Sequence, residues 1–129
     1  MRAPRPVRLF VDGTLRRGEL NHARLAGATY LGQAETEALF ALYDLGPYPA
    51  LVAGGRGSVE GEVYELGRPL LGRLDRFEGH PTLYRRQGLS LRDGRRVEGY
   101  VWAGDLPAGA RLLADGRWRP LAREAGGRS

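Results

Sequence analysis

At 129 residues the chain has room for one domain with a real core and none for two. A composition of 42% hydrophobic and 27% charged residues is that of a soluble globular protein, and no apolar run approaches the roughly 20 residues of a membrane span. The sequence has no cysteine, which excludes disulfides, thiolate metal sites and cysteine nucleophiles, and no lysine, which excludes Schiff-base chemistry on a lysine amine.

The net charge of +5 and pI near 10.2 raise nucleic acid as a partner. Every basic side chain is arginine, however, which reads as a coding bias rather than a binding arm. The arginines are scattered as Arg16-Arg17, Arg85-Arg86, Arg95-Arg96, Arg117 and Arg119, with no long basic run. The opening Met1 to Pro6 is a short basic, Pro-rich arm without a targeting h-region. The expectation is a bacterial-type cytoplasmic monomer that binds neither nucleic acid nor membrane.

In chain order, Val7 to Val11 predicts a first strand ending at Gly13, and residues 21–28 a short helix capped by Asn21. Residues 29–34 and 38–45 read as strands, followed by the turn Gly46-Pro47-Tyr48-Pro49. Residues 51–53 are expected to pair across the Gly54–Gly57 loop with a strand at 59–66. Leu70, Leu71, Leu74 and Phe77 have helical spacing and predict a helix over 69–77. Strands at 84–91 and 97–102 flank Asp93-Gly94, a hairpin signal. A last pair is expected between 111–113 and Trp118, turning at Asp115-Gly116. Many short strands at close spacing predict an α+β fold, a small mixed β-barrel or strongly curved sheet with peripheral helices. The ends, 1–6 and 125–129, read as tails.

Two segments carry chemistry. Glu78 lies four residues after Leu74 and so continues the apolar face of the predicted helix, which Gly79 and Pro81 then terminate. A carboxylate against apolar surface and near the negative end of a helix has its pKa raised, as a general base working near neutrality requires. The plainer alternative is a helix-end glutamate turned out to water. The second segment is Phe10 to Gly18, where a strand breaks at Gly13 before Thr14. Such a turn presents successive backbone N–H groups, a setting for carboxylate or phosphate, although it lacks the lysine and spacing of a P-loop.

Together, the segments extend into a pattern. Phe10-Val11-x-Gly13-Thr14-Leu15-Arg16-Arg17-Gly18-x-x-Asn21-His22 is followed by Leu31-Gly32 and by Tyr43-Asp44-Leu45-Gly46-Pro47-Tyr48-Pro49-Ala50. Val59-Glu60-Gly61-Glu62-Val63-Tyr64 and then Leu74-Asp75-Arg76-Phe77-Glu78-Gly79-His80-Pro81-x-x-Tyr84-Arg85-Arg86 complete it. In order and separation these blocks resemble the γ-glutamylcyclotransferase-like (AIG2-like) family, which includes the γ-glutamylamine cyclotransferases. The resemblance covers nearly the whole chain.

The resemblance implies a small mixed barrel and a reaction on γ-glutamyl compounds that needs no metal or cofactor. The substrate's own α-amine attacks its γ-carbonyl, expels an amine and leaves 5-oxoproline. The family's glutamate falls on Glu78, which would serve as general acid and base. Its binding loop falls on Asp12, Gly13, Thr14 and Leu15, whose N–H groups would hold substrate oxygens. Tyr48 and Tyr84 fall in matching blocks and would wall the pocket, or else pack within the barrel.

One position departs from the family. Where a tyrosine is usual before Gly-Thr-Leu, this chain has Asp12. An aspartate there repels a substrate α-carboxylate by about 1 kcal/mol or more, attracts an α-ammonium, or shares a proton with Glu78. Altered substrate, weakened activity and a loop used only for binding all follow from it. Asp12 therefore keeps open a non-catalytic, metabolite-binding member of the same fold, beside the less favoured nucleic-acid accessory protein.

The remaining candidates are subordinate. His22 and His80 lack metal-ligand spacing; His22 is expected to support the loop after Gly13, and His80 to sit at the mouth beside Glu78. Arg85 is a candidate for a substrate carboxylate or a strand-face ion pair. Trp102 and Trp118 are expected in the core and at a barrel end, and Asp75 to point outward.

Overall fold

The computed structural model describes residues 5–120. Among these described residues eight strands form: β1 (Val7–Val11), β2 (Thr29–Glu35), β3 (Phe40–Asp44), β4 (Pro49–Ala53), β5 (Glu60–Leu66), β6 (Tyr84–Ser90), β7 (Arg96–Trp102) and β8 (Arg111–Leu112). One α-helix, α1 (Arg68–Phe77), lies between β5 and β6, and a single 3-10 turn spans His22–Leu25. The strands make a five-stranded sheet ordered β2-β5-β1-β7-β6 and a separate three-stranded sheet ordered β4-β3-β8. β1 runs parallel to β7, and all other pairs are antiparallel.

Strand alternation explains the layering. Val7, Leu9 and Val11 of β1 join one apolar cluster with Tyr64, Leu66, Tyr100 and the helix residues Leu70, Leu71 and Leu74. Phe10, between them in sequence, joins a second cluster with Val63, Val101, Phe40, Leu42, Leu51 and Trp118. The five-stranded sheet is thus buried on both faces, by α1 on one and the three-stranded sheet on the other. Each fully buried Leu in these clusters contributes roughly 1.5–3 kcal/mol.

Several expectations are corrected. The sheets do not close into a barrel, because β2 and β6 remain the two edges of the larger sheet. Strand β4 pairs with β3, not with β5. The turn between β3 and β4 accounts for that pairing: the Gly46 N–H donates to Asp44 Oδ1 at 2.9 Å, the Leu45 N–H to Tyr48 O at 3.0 Å, and Gly46 takes φ +102°. β8 pairs with β3, while Trp118 lies outside any strand and fills the space between the sheets. Residues 21–28 form only the 3-10 turn, and the Asn21 side chain does not cap it. The expected hairpin at Asp93-Gly94 forms, joining β6 and β7 with Gly94 at φ +95°. Of the expected tails, residues 1–4 and 125–129 lie outside the described residues.

Candidate active site

The carboxyl end of α1 is built as its sequence suggests. Glu78 is its last capping residue, with its N–H on Leu74 O at 2.8 Å, and Gly79 turns the chain at φ +70°. The turn after it returns to β6 through the N–H groups of Thr82 and Leu83, both on Gly79 O. The Glu78 side chain is thereby left on the same side of α1 as buried Leu74.

Glu78 opens into a cavity of about 180 Å³. Asp12, Gly13, Thr14 and Leu15 from the loop after β1 line it, together with Tyr48 and Tyr84. The seven positions that the family resemblance assigns to the site therefore share one space, at the end of β1 where it runs beside β7. The loop is held by its carbonyls: Gly13 O accepts from the Arg16 N–H and Nε, Thr14 O from the Asn21 N–H, and Leu15 O from the His22 ring Nδ1–H at 2.9 Å. His22 thus supports the loop as expected. The Asn21 amide donates to Thr14 Oγ1 at 3.0 Å, binding the 3-10 turn to the site. Gly13 has a steric reason to be glycine, since a Cβ there would lie 2.6 Å from Pro49 Cδ.

Tyr84 is fixed by its hydroxyl, which donates to Pro49 O at 2.6 Å, and by edge contacts with Tyr48 and Trp102. It therefore ties β6 to the start of β4 across the cavity. Tyr48 and Leu83 are exposed at 38% and 43%, which places them at the rim.

The electrostatics of the cavity are unusual. Burial pushes the Glu78 carboxyl up from 4.5 to about 7; the Asp12 charge adds to the rise and Arg24 opposes it. Burial likewise pushes Asp12 up from 3.8 to about 7, against the Arg16 charge and its own backbone N–H. Tyr84 is raised by burial and then by the charges of Glu78, Asp12 and Tyr48.

Sequence reading misses one wall. Tyr100 lines the cavity and its hydroxyl donates to Asp75 Oδ1 at 2.7 Å. Asp75 is clasped by Arg86 through Nε at 2.9 Å and Nη2 at 3.1 Å, and Arg86 Nη1 also reaches Glu98 at 2.9 Å. Asp75 therefore does not point outward; it turns into this network. The usable signal is the hairpin register, which sets Arg86 directly opposite Tyr100. His80 does not line the cavity; its Nδ1 accepts from the Arg86 N–H at 2.9 Å. Arg85 is exposed on β6 and does not line the cavity. Trp102 packs beside Tyr84, and Trp118 is buried between the sheets with its Nε1–H on Asp44. No group of three or more His, Asp or Glu among the described residues is placed to hold a metal ion. Nor is any helix among them long and apolar enough to cross a membrane.

Comparison with known proteins follows the same residues. The family model described as gamma-glutamyl cyclotransferase, AIG2-like, matches residues 9–120. A putative gamma-glutamylcyclotransferase of Vibrio cholerae is 53% identical over 78 residues, covering 60% of this chain and 67% of that protein. Gamma-glutamylaminecyclotransferase A of Danio rerio is 32% identical over 113 residues, covering 75% of this chain and 68% of its own. The crystal structure of an AIG2-like protein from Mus musculus superposes with a TM-score of 0.77 at 27% identity, covering 90% of each chain.

Proposed function

The chain belongs to the gamma-glutamyl cyclotransferase, AIG2-like family, and from that premise we propose that it cyclises a γ-glutamyl compound to 5-oxoproline and a free amine, with Glu78 moving the protons. The observation that carries this reading is the meeting of Glu78 with the Asp12–Leu15 loop in one small cavity. The nucleophile is the substrate's own α-amine, so the protein's work is to fold the substrate and manage its protons. A carboxyl group poised at about 7 exchanges protons in both directions near neutrality. The N–H groups of Gly13, Thr14 and Leu15 have no acceptor among the described residues and are free to hold the γ-carbonyl oxygen or the α-carboxylate.

Size supports the same assignment. A volume of about 180 Å³ is below the roughly 300–1,000 Å³ of sites for drug-sized ligands. It suits the glutamyl end, with the leaving amine passing out over Tyr48 and Leu83. The direct test incubates the protein with γ-glutamyl amino acids and γ-glutamylamines, γ-glutamyl-ε-lysine included, and detects 5-oxoproline by mass spectrometry. Product from the native protein and none from Glu78→Gln is the expected result. No product from any substrate, with the protein folded, would overturn the proposal.

A further inference from the structure

The cavity around Glu78 holds a second carboxylate, Asp12, and among the described residues no arginine, lysine or histidine lines it. The groups facing the pair come from every surrounding element and are all neutral: Thr14 and Asn21 beside the loop, Tyr48 before β4, Tyr84 on β6 and Tyr100 on β7. Most are already committed, Tyr84 to Pro49 O, Tyr100 to Asp75, and Asn21 to Thr14. The two cations that act on the pair do so from behind the wall. Arg16 is tied to Gly13 O and Trp118 O, and Arg24 lies over the Phe77 ring at 3.9 Å. Two half-buried anions without a cation between them are costly, and a shared proton or a cation brought by the ligand relieves that cost.

We propose that Asp12 is the counter-ion and first proton acceptor for the substrate's α-ammonium, while Glu78 protonates the leaving amine. The inference rests on the cyclotransferase reading and divides between two carboxylates the work assigned there to one. A pair with both carboxyls lifted to about 7 holds close to one proton at neutrality, consistent with that division.

The steps balance. The pair starts with its proton on Glu78. The α-ammonium gives a proton to Asp12, and the amine nitrogen then bonds to the γ-carbon while the carbonyl π pair moves onto oxygen. Glu78 gives its proton to the leaving nitrogen as the C–N bond breaks toward that nitrogen. The oxygen pair re-forms the carbonyl, and the ring nitrogen returns its surplus proton to Glu78. Asp12 finally loses its proton to the released amine, which restores the starting state. Recognition follows from the same geometry: Asp12 draws the ammonium and turns the α-carboxylate toward the N–H groups of 13–15.

The test separates binding from turnover. Titrations followed by NMR at pH 7 compare L-glutamine with glutaric acid monoamide, which differs only in lacking the α-ammonium. The native protein should prefer L-glutamine by about tenfold or more, a charge pair being worth more than 1.4 kcal/mol at a desolvated site. Asp12→Asn should lose most of that preference without a lower melting temperature, whereas Glu78→Gln should keep part of it. An undiminished preference in Asp12→Asn, or none in the native protein, would overturn the counter-ion role. In turnover, Asp12→Asn should remove one limb of the kcat/KM pH profile, and an unchanged profile would overturn the division of labour. Absence of 5-oxoproline with the ammonium preference intact would remove the cyclotransferase reading and the proton steps, leaving Asp12 as a counter-ion.

Discussion

Two hollows in this molecule are both rich in carboxylates, and they have opposite character. The larger, about 540 Å³, is an open groove lined by Arg16, Glu35, Glu60, Glu62, Arg117 and neighbouring residues. Its carboxylates are met by arginines: Arg117 Nε meets Glu60 at 2.7 Å, and Arg92, outside the lining, meets Glu35 at 3.7 Å. Glu62, buried at its floor, accepts from the Arg17 N–H and the Tyr64 hydroxyl. The smaller cavity, about 180 Å³, holds Asp12 and Glu78 with no cation in its lining among the described residues. Satisfied charge makes a surface and unsatisfied charge makes a reagent, so volume is the poorer guide to chemistry here.

The largest difference expected between the two is in turnover. Glu78→Gln should reduce 5-oxoproline formation by roughly 10²–10⁴-fold while circular dichroism and the melting temperature are retained. An active Gln variant would make the cavity no more reactive than the groove. Next comes the fit of the loop. Gly13→Ala drives a Cβ to within 2.6 Å of Pro49 Cδ, so the loop or the start of β4 must shift. The expected cost is about 1–3 kcal/mol in denaturant unfolding, with KM raised because Tyr48 and Pro49 move with it.

The pH dependence of stability distinguishes the hollows without a substrate. Asp12 and Glu78 bind protons more tightly when folded, with values raised from 3.8 and 4.5 to about 7. The folded state then holds more protons than the unfolded one across this window, so stability falls as pH rises from about 4 to about 7. Asp12→Asn and Glu78→Gln should each flatten that slope, read as melting temperature against pH. A native protein whose melting temperature rises through the window, with no change in either variant, would show that the pair is solvated and ordinary.

The Tyr100 wall gives the opposite sign. Burial raises Asp75, but hydrogen bonds from Arg86 and Tyr100 and the Arg86 charge outweigh it and leave its pKa below 3.8. A depressed carboxylate contributes stability above its unfolded pKa and loses it as pH falls through the folded value. Asp75→Asn should therefore cost about 1 kcal/mol at neutral pH, a modest figure because the pair is partly solvated, and the deficit should vanish in acid.

What the sequence made legible was local. Glu78 stands out because its spacing from Leu74 and the Gly79 stop are properties of one helix, and the Asp12–Leu15 loop because a strand ends at a glycine. Pairing between distant strands was not legible: nothing in residues 51–53 distinguishes β3 from β5 as partner, and the choice is made by the Asp44–Gly46 turn. Barrel closure is hidden for the same reason, since it depends on how far β2 and β6 pair rather than on either strand alone, and they join only through the single Thr36–Leu91 bridge past their ends. Asp75 was misplaced because helical periodicity sorts residues by polarity, while its partners Arg86 and Tyr100 come from a hairpin that packs against the helix.

The smallest expected effect is as informative as the largest. Arg117→Gln breaks the 2.7 Å contact with Glu60 in the groove, yet Arg117 and Glu60 are 52% and 37% exposed. Water and salt replace what an exposed pair loses, so neither the melting temperature nor 5-oxoproline formation should change measurably. The same substitution logic at Asp12, one uncharged amide for one charged group, should alter ligand preference and pH dependence together. A groove variant that changed turnover would mean that the two hollows communicate through Arg16, whose guanidinium reaches Trp118 O on the groove side and Gly13 O on the cavity side. If turnover is unmoved, Arg16 serves as a fixed post between them, and the chemistry stays with the two carboxylates of the cavity.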